Sequence, residues 1–306
     1  MSKKIIFMGT PQFSIRTLES LIKSKFEVVC VYTQPPQKSA RGQKIKKSII
    51  HNYAETLNLK IRTPQSLDNE IEFDFFKSLN PFLVVVVAYG KIIPKKYLKI
   101  PEKGFINIHA SLLPKWRGAA PIQRSIINHD KQTGITFMKI EENLDEGPYY
   151  KQFKIAINEH TTSKSLSDSL SKLGSENIVE CLELLENDKA EFIEQDHSKA
   201  TYAKKINKSE SKINWNDKAQ NIISKINGLN PSPGAWFLHE GSRYKIWKAT
   251  ISKLKGKPGE ILDKEFTVAC KEGSISIMEI QKEGKNALTI DKFLAGYEIK
   301  KGIILE

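Results

Sequence analysis

The chain is poor in the residues that build metal and disulfide sites. Its three cysteines, Cys30, Cys181 and Cys270, stand at least 89 residues apart. They form no CxxC pair, which argues against a zinc ribbon or a disulfide framework and suits a reducing compartment. The six histidines are never closer than 20 residues, so no HxxxH metal signature exists. Long apolar runs are also missing. The longest, Phe82–Tyr89, has eight residues, against the roughly 20 that a membrane-spanning helix needs. About five apolar residues precede the Gly9-Thr10-Pro11 turn, short of the ~7–15 of a secretory core. The expectation is a soluble, cytoplasmic protein without a metal. Arginine is scarce too, at six against 42 lysines.

What is present is apolar mass and positive charge. Forty per cent of 306 residues are hydrophobic, enough for one large core or two smaller ones. The net charge is +13, unevenly spread: residues 1–50 hold ten basic and two acidic side chains, and residues 201–250 hold nine and three. Two basic blocks on one folded chain can face a polyanion. The lysine bias has a second source, AT-rich coding, so charge alone leaves nucleic-acid binding open.

The first half alternates β-branched runs with helical stretches. Strands are expected at Lys4–Met8, Phe26–Tyr32, near 59–61, at Phe82–Val87 and at Phe105–His109. Helices are expected from Ile15, over Lys46–Leu57, Asn69–Leu79 and Ala119–Asn128, with a loop at Thr33–Lys44. The alternation predicts an α/β, Rossmann-like, mostly parallel sheet with helices on both faces. Four consecutive valines suit a central strand covered on both sides. Two further strands, Gly134–Ile140 and Tyr150–Ile157, flank an acidic turn, and a long helix follows over Thr162–Glu186. Residues 197–214 are polar and lysine-rich, as a linker is. Beyond a helix at Asp217–Ile226, glycine-punctuated strands at Tyr244–Ala249, Gly259–Leu262, Phe266–Ala269 and Ile275–Ile280 read as a small β-barrel.

Chemistry concentrates in two stretches. Asn107 and His109 are two apart on one strand, so their side chains share a face near its C-terminal end. Ligands bind at that end of open α/β sheets. Spacing alone also allows a satisfied buried Asn–His pair. Asp145, in Leu144-Asp145-Glu146-Gly147, sits at a strand-to-turn junction where an aspartate is often only a turn residue. Together the three types make an acyl-transfer set: Asn as oxyanion donor, His as proton donor, Asp as orienter and base. No GxSxG elbow occurs, so the attacking group can belong to the substrate. Gly9-Thr10-Pro11-Gln12-Phe13 is not GxGxxG, which weakens a dinucleotide reading. The glycine ending Ala88-Tyr89-Gly90 permits close approach of a flat ligand to backbone. Trp116 reads as packing, and sequence does not separate a loop-holding from a substrate-reaching role for Arg117.

These stretches resemble the methionyl-tRNA formyltransferases over essentially the whole chain. The resemblance is carried by IIFMGTPQF, VYTQP with its basic loop, VVVAYGKIIP, NIHASLLPKWRGAAPIQRSI, GITFMKIEENLDEGPYY, TYAKKINKSESKINW and GLNPSPGAWF. NxHxSLLPxxRG is the pattern of folate-dependent formyltransferases, and AAPIQR with the loop narrows it to the tRNA-acting branch. The resemblance implies a formyltransferase catalytic domain at 1–196, a basic linker at 197–214 and an OB-like β-barrel domain at 215–306 that assists tRNA binding. It implies catalytic roles for Asn107, His109 and Asp145. It implies folate contacts at Ser111, Leu112, Leu113 and Pro114, which Ala88, Tyr89 and Gly90 are expected to join. It implies tRNA contacts at Arg41, Lys44, Lys46 and Lys47 in the loop; the linker cations Lys204 and Lys205 are expected to add phosphate contacts.

The implied reaction moves the formyl group of 10-formyltetrahydrofolate to the amino group of initiator methionyl-tRNA, for translation initiation. No metal enters it, and a monomer is expected. A small-molecule formyltransferase acting on glycinamide ribonucleotide or an aminosugar nucleotide is the alternative. A non-catalytic RNA-binding protein on the same scaffold would not need the Asn–His–Asp set. The chain departs from the pattern at Gln12 and Pro148, where the family commonly has Asp, and Pro148 bears on the Asp145 turn.

Overall fold

The Leu83–Val87 run is wholly buried in the computed structural model, which describes residues 2–39 and 44–306. The elements follow in chain order. They begin with β1 (Lys4–Gly9), α1 (Ile15–Ile22), β2 (Glu27–Tyr32), β3 (Gln37–Ser39), β4 (Lys44–Lys46) and α2 (Ile49–Thr56). Next come β5 (Ile61–Arg62), α3 (Glu70–Ser78), β6 (Leu83–Val87), α4 (Lys95–Leu98), β7 (Phe105–His109) and β8 (Arg117–Gly118). Then follow α5 (Pro121–Ile127), β9 (Gln132–Lys139), β10 (Tyr149–Ala156), α6 (Ser163–Glu186), β11 (Tyr202–Ala203) and α7 (Ala219–Gly228). The chain ends with β12 (Ala235–His239), β13 (Ser242–Ser252), β14 (Thr267–Ala269), β15 (Ser274–Lys282), β16 (Leu288–Thr289) and α8 (Ile290–Leu294).

The chain divides into two compact units. One comprises Met1–Gly118, Thr133–Ile155 and Ser167–Tyr202; the other comprises Ala119–Gln132, Ala156–Leu166 and Ala203–Glu306. In the first, seven strands form one sheet in the order β10-β9-β7-β6-β1-β2-β5. β5, β2, β1, β6 and β7 run parallel, and β9 joins antiparallel to β7. Alternation places Ile6, Met8, Cys30, Tyr32, Val84, Val86 and Phe105 in one core cluster with Phe76 of α3 and Tyr97 of α4. Fully burying side chains of this size contributes roughly 1.5–3 kcal/mol each. The opposite face meets α6. A Cβ added at Gly174 would lie 3.4 Å from Ile108 Cγ2, an ordinary contact distance, so this part of α6 packs directly over β7. The expected mostly parallel sheet covered on both faces is therefore what forms.

Local chemistry sets the helix starts. Ser48 Oγ accepts from His51 N at 2.9 Å and begins α2, three residues later than periodicity alone suggests. Asn69 Oδ1 accepts from Ile71 N at 2.9 Å and begins α3. The stretch expected as a plain loop, Thr33–Lys44, contains β3 and leads into β4, with which β3 pairs antiparallel. Arg41 lies outside the described residues, as does the Lys44 side chain.

The second unit is an antiparallel sheet domain, with strand order β12-β13-β15-β14 and β16 on β15. α7 packs Ile222 and Ile226 into a core with Trp215, Phe237, Tyr244 and Ile246. Gly228 of α7 sits where a Cβ would come within 2.6 Å of Ile127 on α5. The strand expected at Gly259–Leu262 is reduced to isolated bridges, Glu260 with Ile304 and Ile261 with Val268.

Candidate active site

The site grows from the C-terminal ends of parallel strands. Register places Gly9 beside Val87 and Val86 beside Asn107. Loop segments 10–12 and 88–90 therefore leave the sheet beside the end of β7. Phe105, Asn107 and His109 alternate onto one face of β7. At its N-terminal end that face is core, and at its C-terminal end it presents an amide and an imidazole. His109 is 6% exposed.

Asp145 reaches this strand from the turn between β9 and β10. Its Oδ1 lies 3.5 Å from Asn107 Nδ2 and 3.6 Å from His109 Nδ1. Its Oδ2 accepts from Gly118 N at 2.8 Å. Asn107 Nδ2 and His109 Nδ1 thus both face Asp145 Oδ1, at the long end of hydrogen-bond distance. Nδ1 becomes a second donor beside the Asn107 amide when the ring is an imidazolium. His109 Nε2 lies 2.9 Å from the Trp116 carbonyl. A carbonyl only accepts, so Nε2 carries a proton and the ring's other nitrogen faces Asp145.

Backbone strain collects at these positions. Ala88 (φ 51), Trp116 (φ 63) and Asp145 (φ 56) are non-glycine residues in left-handed conformation. Each such residue costs on the order of 1–3 kcal/mol and persists only where its surroundings over-determine it. The surroundings of Asp145 do so. Gln195, 4% exposed, donates through Nε2 to the Asp145 carbonyl at 2.9 Å and the Gly147 carbonyl at 2.7 Å. Gln195 Oε1 accepts from Arg117 Nε at 3.1 Å and Nη2 at 2.9 Å. Arg117 is itself 1% exposed, and its Nη1 pairs with Glu146 Oε1 at 3.0 Å. Arg117 therefore holds the loop and does not point to solvent. Gln195 carries no signal in the sequence, because its partners Arg117, Asp145 and Gly147 lie tens of residues away.

The Pro148 departure lies in the hairpin that carries the Asp145 turn. Pro148 is buried and its carbonyl accepts from Lys139 N at 2.8 Å, closing the hairpin. Gly147 is needed there: a Cβ would sit 2.1 Å from the Lys139 carbonyl oxygen. Gln12 is itself exposed and opens a helical turn that buries Ser14.

The 111–114 stretch is fixed by its own hydrogen bonds. Ser111 Oγ donates to the Lys115 carbonyl at 2.6 Å. Thr136 Oγ1 donates to the Ser111 carbonyl at 2.6 Å and accepts from Leu113 N at 3.1 Å. Gln152 Nε2 donates to the Leu113 carbonyl at 2.8 Å. Leu112 and Pro114 stay partly exposed. On the other side, Tyr89 is buried, and its carbonyl accepts from Thr10 Oγ1 at 2.9 Å and Gln34 Nε2 at 3.1 Å. Ala88 and Gly90 remain exposed.

Lys46, Lys47, Lys204 and Lys205 are exposed, and Lys47 pairs with Glu55. The Lys204 and Lys205 carbonyls accept from Arg124, which also pairs with Glu210 at 2.8 Å. A cavity of about 490 Å³ beside Lys103, Gly104 and Asp188 lies at the opposite, N-terminal end of β7 and includes none of the Asn–His–Asp groups. Among the described residues, no group of three or more His, Cys, Asp or Glu could hold a metal ion, and no helix is long and apolar enough to cross a membrane.

A carboxamide, an imidazole and a carboxylate around one point, at the C-terminal edge of a parallel sheet, define an enzyme of the acyl-transfer class. The chain belongs to the formyl transferase family. The formyl transferase model matches residues 3–182, and the formyl transferase C-terminal domain matches residues 205–298. A protein of Pelagibacter ubique named methionyl-tRNA formyltransferase is 52% identical, covering 99% of this chain and 98% of its own. One of Jannaschia with the same name is 42% identical, over 99% and 100%. Among solved structures, an N-formyltransferase from Helicobacter canadensis with folinic acid and dTDP-3-aminofucose superposes with a TM-score of 0.70. It is 21% identical, covering 92% of this chain and 100% of that one. HypX from Aquifex aeolicus with tetrahydrofolic acid gives 0.68 at 17% identity, over 100% of this chain and 51% of that one. At these identities the two structures speak to fold alone.

Proposed function

We propose that the protein transfers the formyl group of 10-formyltetrahydrofolate to the free amino group of initiator methionyl-tRNA, in the cytoplasm, as a monomer. The observation that carries the chemistry is that Asn107 Nδ2 and His109 Nδ1 meet the Asp145 carboxylate, at 3.5 and 3.6 Å from its Oδ1. Full-length relatives at 52% and 42% identity, both named methionyl-tRNA formyltransferase, support the choice of acceptor. They outweigh a small-molecule acceptor, whose solved representatives resemble this chain only at the level of fold.

The formyl oxygen takes the place between Asn107 and His109. The amine lone pair attacks the formyl carbon, and the carbonyl electrons move to that oxygen. Asn107, together with His109 as imidazolium, stabilises the developing charge. Asp145 removes a proton from the attacking nitrogen, directly or through water. The carbonyl then re-forms, the bond to N10 breaks, and N10 takes a proton. Ser111, Leu112, Leu113 and Pro114, with Ala88, Tyr89 and Gly90, line the folate side. The fit rests on preset backbone at both segments, which lie beside the end of β7. Arg41, Lys44, Lys46 and Lys47 are assigned to the tRNA acceptor end, and Lys204 and Lys205 to its phosphates. The 1–196, 197–214 and 215–306 partition is retained as a division of labour between chemistry, linker and tRNA support.

The test is to supply 10-formyltetrahydrofolate with charged initiator tRNA, charged elongator tRNA or an aminosugar nucleotide, each in turn. Formylation of the initiator species alone is expected. Preferred formylation of the sugar would replace this reading with the small-molecule one.

A further inference from the structure

We propose that Gln195 is a positioning residue for Asp145, and that buried Arg117 fixes the orientation in which it acts. The proposal rests on the reading of Asp145 as catalytic. Asp145 holds a left-handed backbone in a turn otherwise exposed at Leu144. Such a residue relaxes unless its carbonyl and the next peptides are tied down. One carboxamide does this, donating to the carbonyls of both Asp145 and Gly147.

A carboxamide can be turned over, which would aim its oxygen at those two carbonyls and its NH₂ at a guanidinium. Arg117 forbids that state, because it has only donors and presents two of them to Gln195 Oε1. Arg117 is anchored in turn. Its charge meets Glu146 Oε1, while Asn143 Nδ2 donates to Glu146 Oε2 at 3.0 Å. Its main chain donates to the Thr201 carbonyl at 2.9 Å. The neighbouring Gly118 N holds the Asp145 carboxylate directly. Residues 117 and 118 thus grip Asp145 twice, through its side chain and, by way of Gln195, through its backbone. The remaining carboxylate oxygen is left facing His109 and Asn107.

The experiment is a double-mutant cycle between Gln195→Met and Asp145→Asn. Methionine keeps the volume and adds no charge. Asparagine tolerates the left-handed backbone. Gln195→Met alone is expected to lower kcat about tenfold to a hundredfold, the scale of a ~1 Å misplacement, with KM for both substrates unchanged. Titration with tetrahydrofolate should still count one site per chain. In the Asp145→Asn background the same change should cost less than about twofold, since its target is already gone. Gln195→Glu, near-isosteric and able to pair with Arg117, serves if the methionine variant does not fold, and should lose kcat in the same way. Equal losses in both backgrounds, or normal kcat in both Gln195 variants, would overturn the proposal. A fully active Asp145→Asn enzyme would instead overturn the underlying assignment of Asp145.

Discussion

Gly118 N donates to Oδ2 of Asp145 over 2.8 Å, which leaves Oδ1 as the oxygen that faces the catalytic strand. Asn107 and His109 meet that oxygen from adjacent positions on one face of β7. Removing one oxyanion donor costs about 10²–10³ in kcat. His109→Ala and Asn107→Ala are each expected to lose at least that much, with tetrahydrofolate affinity retained. Steady-state kinetics beside a folate titration checks this. Near-normal turnover in a folded His109→Ala protein would remove His109 from the chemistry.

Gly147 makes a prediction about stability. Its missing Cβ is what lets the turn pass the Lys139 carbonyl, at a position where an added carbon would be 2.1 Å away. Gly147→Ala is expected to destabilise by at least the ~1–3 kcal/mol typical of overpacking, and to lower activity by moving Asp145. Gly296→Ala, where an added Cβ meets nothing within 4 Å, is the control and should unfold at the wild-type denaturant midpoint.

Charge contacts to tRNA should separate from folate binding. Arg41→Ala is expected to raise KM for tRNA and leave KM for the folate unchanged. Lys47 already pairs with Glu55, whose carboxyl its hydrogen bond holds below the usual range, so Lys47→Ala should cost less than Arg41→Ala. Replacing Lys204 and Lys205 by Ala should weaken tRNA binding without regard to sequence. It should also flatten the salt dependence by about one unit of slope per lost phosphate contact. Filter binding across a salt series reads both effects.

The cysteines predict a pH and labelling behaviour. Burial pushes the thiols of Cys30, Cys181 and Cys270 up to about 12 each. The thiolate is the reactive form, so the native protein should resist a disulfide reagent at pH 8 and release three thiols once unfolded. A raised folded value means the neutral thiols' contribution to stability is fully present below the ordinary value of 9.0. It is lost as pH climbs toward about 12. Denaturant melts from pH 8 upward should show that decline.

The parts legible in the sequence were those written in local pattern. Phe105–His109 was expected and observed with the same bounds, because its apolar alternation ends at a polar pair. The valine strand was legible because only a doubly covered strand reads that way. The Ala235–His239 strand was not, since Asn230-Pro231-Ser232-Pro233-Gly234 before it reads as turn and its five residues are short. The three site side chains were readable as types with spacing. What holds them was not: Arg117 meets Gln195 across 78 residues, and nothing near either residue announces the other. A buried arginine looks like a surface arginine until the fold removes its water.

The most direct measurement follows the formyl group itself. Incubate the purified protein with 10-formyltetrahydrofolate labelled in the formyl carbon and with initiator tRNA charged with methionine, then hydrolyse the ester and identify the labelled product. The account predicts N-formylmethionine in the wild-type reaction and essentially none with His109→Ala or Asp145→Asn. Label that stays on the folate with wild-type enzyme, or that reaches methionine equally well in those variants, would contradict it.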